Sequence, residues 1–168
     1  MENDSQTVKL KFEKSYLAAV AIVLIIASCA VTVYFILPQK PSGYSEMYLL
    51  DAKNQAVDYP QVLVANQNST FNQQVFVENH LVDTKIPDKS WNYQLQVKIV
   101  EDTTNFPVDA PADQTYDFNL KNGESWSSQV PISIKTLGSY SVVFELYADN
   151  VFTNNFCVLH IEVIAGSA

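Results

Sequence analysis

An all-β, antiparallel immunoglobulin-like β-sandwich preceded by one transmembrane α-helix is the architecture this sequence predicts. Three observations carry the expectation. No Asp, Glu, Lys or Arg occurs from Ser15 to Gln39. Trp91, Tyr93, Leu95, Val97 and Ile99 alternate with Asn92, Gln94, Gln96 and Lys98. Eight short apolar-rich runs are separated by turn residues. A long uncharged run reads as a spanning helix, whereas a period of two gives a strand one apolar face. The chain thus divides into a cytoplasmic segment (1–14), a transmembrane helix (15–37), a linker (38–43), an extracytoplasmic sandwich (44–164) and a tail (165–168).

The helix comes first. Tyr16 to Leu37 is 22 residues long, about 33 Å at the helical rise, which matches a hydrocarbon core of about 30 Å. A cleaved secretory signal has a shorter apolar region that ends in small residues before a polar cleavage site. Here Val31, Val33, Tyr34, Phe35, Ile36 and Leu37 follow the small cluster Ala27-Ser28-Cys29-Ala30, and the run stops only at Pro38-Gln39-Lys40-Pro41. The segment therefore reads as a retained anchor. Ile26-Ala27-Ser28-Cys29 loosely matches a lipoprotein box, but the apolar residues beyond it favour Cys29 as a small residue within a spanning helix. Lys9, Lys11 and Lys14 precede the run, against Lys40 alone before Lys53 on its far side, so the N-terminus reads as cytoplasmic. Tyr16 at one end and Tyr34 and Phe35 at the other suit the membrane interfaces.

Strands follow at Ser45 to Leu50, Gln61 to Ala65, Phe71 to Asn79, Trp91 to Ile99, Thr115 to Leu120, Ser125 to Ile134, Ser139 to Ala148 and Asn154 to Ile164. Tyr140, Val142, Phe144 and Leu146 share one face of the seventh; Cys157, Leu159, Ile161 and Val163 share one face of the eighth. Breaks fall at Asp51 to Asn54, Asn66 to Ser69, Pro87-Asp88, Asn122-Gly123, Leu137-Gly138 and Asp149-Asn150, all turn-forming types. Asn122-Gly123 reads as a hairpin between the fifth and sixth strands. Pro131 cannot donate to a ladder and marks an edge position or a break. Eight short strands with turns between them are the signature of a sandwich.

From Pro41 onward there are 6 Lys, no Arg and 15 Asp plus Glu, a formal charge of −9. Such a domain repels nucleic acid and lacks the bidentate phosphate clamp that Arg provides. Cys157 is its single cysteine, so no internal disulfide staples it and a hydrophobic core must hold it together.

The order of segments carries a family resemblance. Tyr44-Ser45-Glu46-Met47-Tyr48-Leu49-Leu50-Asp51 is followed by Ala56-Val57-Asp58-Tyr59-Pro60, Val77-Glu78-Asn79-His80, Tyr93 to Ile99, Gly123-Glu124-Ser125-Trp126 and Phe144-Glu145-Leu146-Tyr147. From Tyr44 to Val163 this resembles an archaeal membrane-protein family with a domain of unknown function. Its members read F/Y-x-x-L-x-x-x-x-x-A-x-x-Y-P, then N-H, then a late L-Y. The resemblance implies an archaeal, membrane-associated β-sandwich and no reaction. Two departures are Leu81 after His80, where an acidic residue is common, and the insert from Glu101 to Thr115.

Chemistry-bearing residues are sparse. His80 and His160 are the two histidines and have no ligand partners at zinc-site spacing. His80 reads as a turn cap, His160 as solvent-facing, and Cys157 as a small core residue. Glu101, Asp102, Asp109 and Asp113 lie in a Pro-containing loop whose oxygens suit a hard cation, but the calcium-loop spacing is missing and a solvated loop is expected. No phosphate-binding glycine loop and no nucleophile elbow occur. No catalytic, cofactor-binding or metal residue is therefore assigned. Asn68-Ser69-Thr70 is a glycosylation sequon, which makes Asn68 the candidate modified residue; Asn3-Asp4-Ser5 is a second sequon on the cytoplasmic side.

The expected function is that of a non-catalytic cell-envelope protein of the plasma membrane. Its helix holds the lipid bilayer, and its sandwich binds a protein or surface glycan, or supports surface architecture. The alternative is an accessory subunit of a membrane complex, packing through Ala18, Ala19, Ala21, Ala27, Ser28 and Ala30. A metal-dependent enzyme is the third reading. Nucleic acid is not an expected partner, and the sequence does not fix an oligomeric state.

Overall fold

The computed structural model describes residues 3–36, 42–51, 55–56, 59–67, 69–86, 88–101 and 105–166, with helix side chains described over 16–33. The chain forms two compact units, Met1–Lys40 and Pro41–Ala168. In the first, helix α1 runs Asn3–Ile36. It starts well before the expected spanning segment, because no Gly or Pro interrupts the Lys, Glu and Leu-containing run before it. Every side chain from Tyr16 to Val33 is free of protein contact sufficient to bury it.

The second unit contains β1 (Ser45–Leu50), β2 (Val62–Val64), β3 (Thr70–Asn79), β4 (Trp91–Val100), β5 (Gln114–Leu120), β6 (Ser125–Ser133), β7 (Gly138–Ala148) and β8 (Val151–Ile164). The first seven lie within one residue of where the alternation places them. They form one sheet in the order β1-β3-β6 and another in the order β2-β8-β7-β4-β5. Leu49, Val75, Val130 and Ile132 of the first sheet meet Leu95, Val97, Val142, Phe144, Leu159, Ile161 and Val163 of the second in the main core. A second cluster holds Val77, Trp91, Tyr93, Leu120, Leu146 and Ala148. Met47, Phe118 and Trp126 pack against both. The inward residues expected on β4, β7 and β8 are all found in or against these clusters.

Three features depart from the sequence expectation. β2 pairs with β8 in parallel, Val62 against Glu162 to Val64 against Ile164, whereas the remaining pairs are antiparallel. Side-chain alternation is blind to the direction of the neighbouring strand. Asn122-Gly123 does not close a hairpin. Leu120 pairs with Trp91 of β4, and Ser125 with Glu78 of β3, so the turn carries the chain between sheets. There the inward rings of Phe118 and Trp126 stack across the core, centroids 4.1 Å apart and 2° from parallel. The third departure is at β8, which starts three residues early. Asn154 has φ 63 beside a register shift between Glu145 and Tyr147, a bulge that breaks the alternation.

The two-residue hairpin is Asp149-Asn150, with φ 47 and 64 joining Ala148 to Val151. Positive φ at both positions matches the twist of the flanking strands and suits Asp and Asn. Asp149 also fastens the start of β4: its carboxylate accepts from Lys89 Nζ at 2.8 Å and from the side chain of Asn92 at 3.0 Å. Burial raises this carboxyl's pKa, but the bonds to Lys89 and Asn92 outweigh it and hold the group below its ordinary range. The clamp is complete above the unfolded carboxylate pKa and is lost as pH falls through the lowered folded value. Pro131 sits on β6, an edge strand, opposite Asn72, as its missing donor requires.

Candidate functional site

The outer face of β4 and β7 carries a buried ion pair. Lys98 Nζ lies 2.8 Å from Glu145 Oε2, with 4% and 0% of the side chains exposed. Neither group is left with that partner alone. Lys98 donates to Val108 O at 2.7 Å, the Val108 N–H donates to Glu145 Oε1 at 2.5 Å, and the Tyr147 hydroxyl donates to Glu145 Oε2 at 3.1 Å. Desolvation, reinforced by Glu145, pushes the Tyr147 phenol up to about 12. Val108 belongs to the loop expected to be solvated. That loop folds back on the sheet, and Phe106 stacks on Phe156 of β8 at 3.9 Å.

One of the loop's acidic residues serves the backbone. Asp113 Oδ2 accepts from the Ile99 N–H at 2.7 Å, and its own N–H donates to Val97 O. Glu101 and Asp109 are exposed and join no ligand-forming group among the described residues; Asp102 lies outside them. Asn68, the sequon residue, also lies outside the described residues.

His80 and His160 are on different sheets. His160, exposed on β8, has Nδ1 3.3 Å from the Ser141 hydroxyl on β7. With Glu162, Gln61 and Tyr59 these line an open cleft of about 760 Å³ beside the short strand β2. Cys157 packs against the main core, and burial pushes its thiol up to about 11, as a packed rather than reactive cysteine requires.

On the outer face of the small sheet the register brings together residues that sequence reading did not connect. Glu46 of β1 is directly opposite Glu78 of β3. Two residues along, beyond the Ser45–Asn79 pair, the His80 N–H donates to Tyr44 O at 2.9 Å, which sets His80 beside Glu78 on the same face. The carboxylates and the imidazole offer ligand atoms within 4.8 Å of one another, the single group of this kind among the described residues. His80 Nε2 lies 3.5 Å from Glu78 Oε2. The Tyr48 hydroxyl donates to Glu78 Oε1 at 2.8 Å, which raises the Tyr48 pKa. No spacing rule finds this trio, because Glu46 and Glu78 meet only through strand pairing. The alternation shared by both strands was the available signal.

Asn79, beside these residues but facing inward, is fully buried. Its Nδ2 donates to Leu120 O at 3.0 Å, while its Oδ1 accepts from the Tyr93 hydroxyl and the Leu81 N–H, both at 2.8 Å. Its backbone also bonds to Gly123 and Glu124. Side chain and backbone of this one residue thus tie the end of β3 to β4, to the end of β5 and to the turn between sheets. Burial pushes the Tyr93 phenol up to about 12.

No protein-family model matches this chain, and no curated protein does. Among solved structures it is similar to the solution structure of a CARDB domain from Pyrococcus furiosus, at 12% identity and a TM-score of 0.47. That match covers 72% of this chain and 96% of the other. A beta-glucosidase from Listeria innocua is similar at 14% identity and a TM-score of 0.42, over 74% of this chain and 17% of that enzyme. At these identities the likeness concerns the fold alone.

Proposed function

We propose that this chain is a non-catalytic, single-pass cell-envelope protein of the plasma membrane whose sandwich stands outside the cell and binds a protein or glycan partner. One observation carries the reading. Tyr16–Val33 has no buried residue on any side and no charged one, so its whole circumference requires an apolar surrounding. A bilayer provides that surrounding, and removing such apolar surface from water is favourable by about 25 cal/mol per Å². The basic residues Lys9, Lys11 and Lys14 support an N-terminus on the cytoplasmic side. Membership of the archaeal membrane family that the segment order resembles is part of the same proposal. On the sandwich, the open cleft beside β2, with Gln61, Ser141, His160 and Glu162 among its lining, and the position of β2 at the sheet edge support surfaces for a glycan or an extended peptide.

The test is purification from native membranes in mild detergent, of the full chain and of a chain whose 15–37 segment is replaced by an unrelated spanning helix. A discrete partner retained by both forms is the expected result and places recognition on the sandwich. A partner lost on replacement assigns association to the helix and makes the protein an accessory subunit. A partner-free chain in both preparations contradicts the binding reading.

A further inference from the structure

We propose that Glu46, Glu78 and His80 bind one late first-row divalent cation of the Zn²⁺ type on the outer face of the small sheet. The inference is independent of membrane anchoring. Like charges directly opposite in a sheet are destabilising, yet Glu46 and Glu78 are paired in register at a position the ladder fixes. Among the described residues no lysine forms an ion pair with either carboxylate, and the His80 imidazole lies 3.5 Å from the Glu78 carboxylate.

The residue types and their supports fit a metal. One imidazole with two carboxylates is a zinc ligand set, and the imidazole favours zinc, nickel or copper over magnesium and calcium. At bond lengths of about 2.0–2.2 Å, ligand atoms in a tetrahedral site stand about 3.4 Å apart. His80 Nε2 and Glu78 Oε2 are already 3.5 Å apart. Glu46 is exposed, and its carboxylate offers an oxygen within 4.8 Å of the other two ligand atoms.

Both fixed ligands are oriented from outside the trio. Tyr48 occupies Glu78 Oε1 and leaves Oε2 for the ion. The Tyr44 ring packs at 4.8 Å on the His80 imidazole. Gly43, at φ 99, passes so close to the His80 carbonyl that a Cβ there would collide with it, which fixes the backbone that carries His80. Such outer partners typically tune metal affinity by 10–100-fold. Three protein ligands leave a fourth position for water or for a donor from a bound partner.

Titration calorimetry of the untagged full-length chain in detergent with ZnSO₄, followed by dialysis and elemental analysis, tests the site. One ion per chain is expected. His80→Ala and Glu78→Gln should each weaken binding more than Tyr48→Phe, which should cost about 10-fold. Zn²⁺ should raise the melting temperature of the wild type and leave that of His80→Ala unchanged. Without metal, Glu46→Gln should melt no lower than wild type, since it relieves the opposed charges; this separates ligand loss from misfolding. Failure of the wild type to hold one ion, undiminished binding by His80→Ala, or equal competition by Mg²⁺ would each overturn the proposal.

Discussion

Glu145→Ala is expected to destabilise the sandwich by about 3–5 kcal/mol, because it strands the Lys98 ammonium in a site where 4% of its side chain is exposed. For a domain of this size that corresponds to a fall in melting temperature on the order of 10–20 °C. The loss has two parts. Lys98 retains Val108 O but no counter-charge, and the Val108 N–H loses its acceptor, so the covering loop loses one of its attachments to the sheet. The paired change Lys98→Met with Glu145→Leu should recover most of the stability, since replacing a buried ion pair by apolar groups of similar volume is often neutral or better. Thermal melts of the single and paired variants check this. A single variant within about 1 kcal/mol of wild type would show that water reaches the pair.

Asn79→Ala is expected to cost about 3 kcal/mol. The side chain satisfies three partners, Leu120 O, the Tyr93 hydroxyl and the Leu81 N–H, and a buried polar group left unpaired costs about 1–3 kcal/mol. Leu81 is half-exposed and can turn to water, so the full sum is not reached. Tyr93→Phe removes a single hydroxyl and should cost about 1 kcal/mol. Combined, the two changes should be less than additive by about 1 kcal/mol, because each already breaks the same bond. Chemical denaturation of the four proteins measures the coupling; strict additivity would mean that Asn79 and Tyr93 act separately.

Much of this fold is legible in single strands. Trp91 to Ile99 announces one buried face by alternation, and Asp149-Asn150 announces a turn by composition. What cannot be read there is set by partners far along the chain. Asn122-Gly123 encodes a reversal, but whether the next strand pairs beside β5 or crosses to the facing sheet depends on how Phe118 and Trp126 stack. β2 is three residues long, too short for its pattern to disclose a parallel neighbour. The first residues of β8 are hidden because Thr153, Asn154 and Asn155 stand opposite Leu146 alone, a bulge that interrupts the ladder.

The polar sites follow the same rule. Glu145 stands among Val142, Val143, Phe144 and Leu146, all fully buried. Val143 on the outward side of β7 was the sign that something covers that face, although it does not name Val108 as the cover. Glu46 and Glu78 look like ordinary solvent-facing carboxylates in their own strands. Their opposition exists only in the register of β1 against β3.

A retained anchor with the sandwich outside the cell is open to site-directed labelling. In a chain with Cys29→Ala and Cys157→Ser, a single cysteine is placed either at Val151, which is 68% exposed on the sandwich, or at Ser5, before the spanning segment. A membrane-impermeant polymer maleimide is then added to intact cells. The expected result is a membrane-bound chain in which Val151→Cys is labelled at once and Ser5→Cys only after the membrane is permeabilised. Labelling of Ser5→Cys alone in intact cells would reverse the orientation, and recovery of the sandwich as a soluble chain without residues 1–37 would replace the anchor by a cleaved signal.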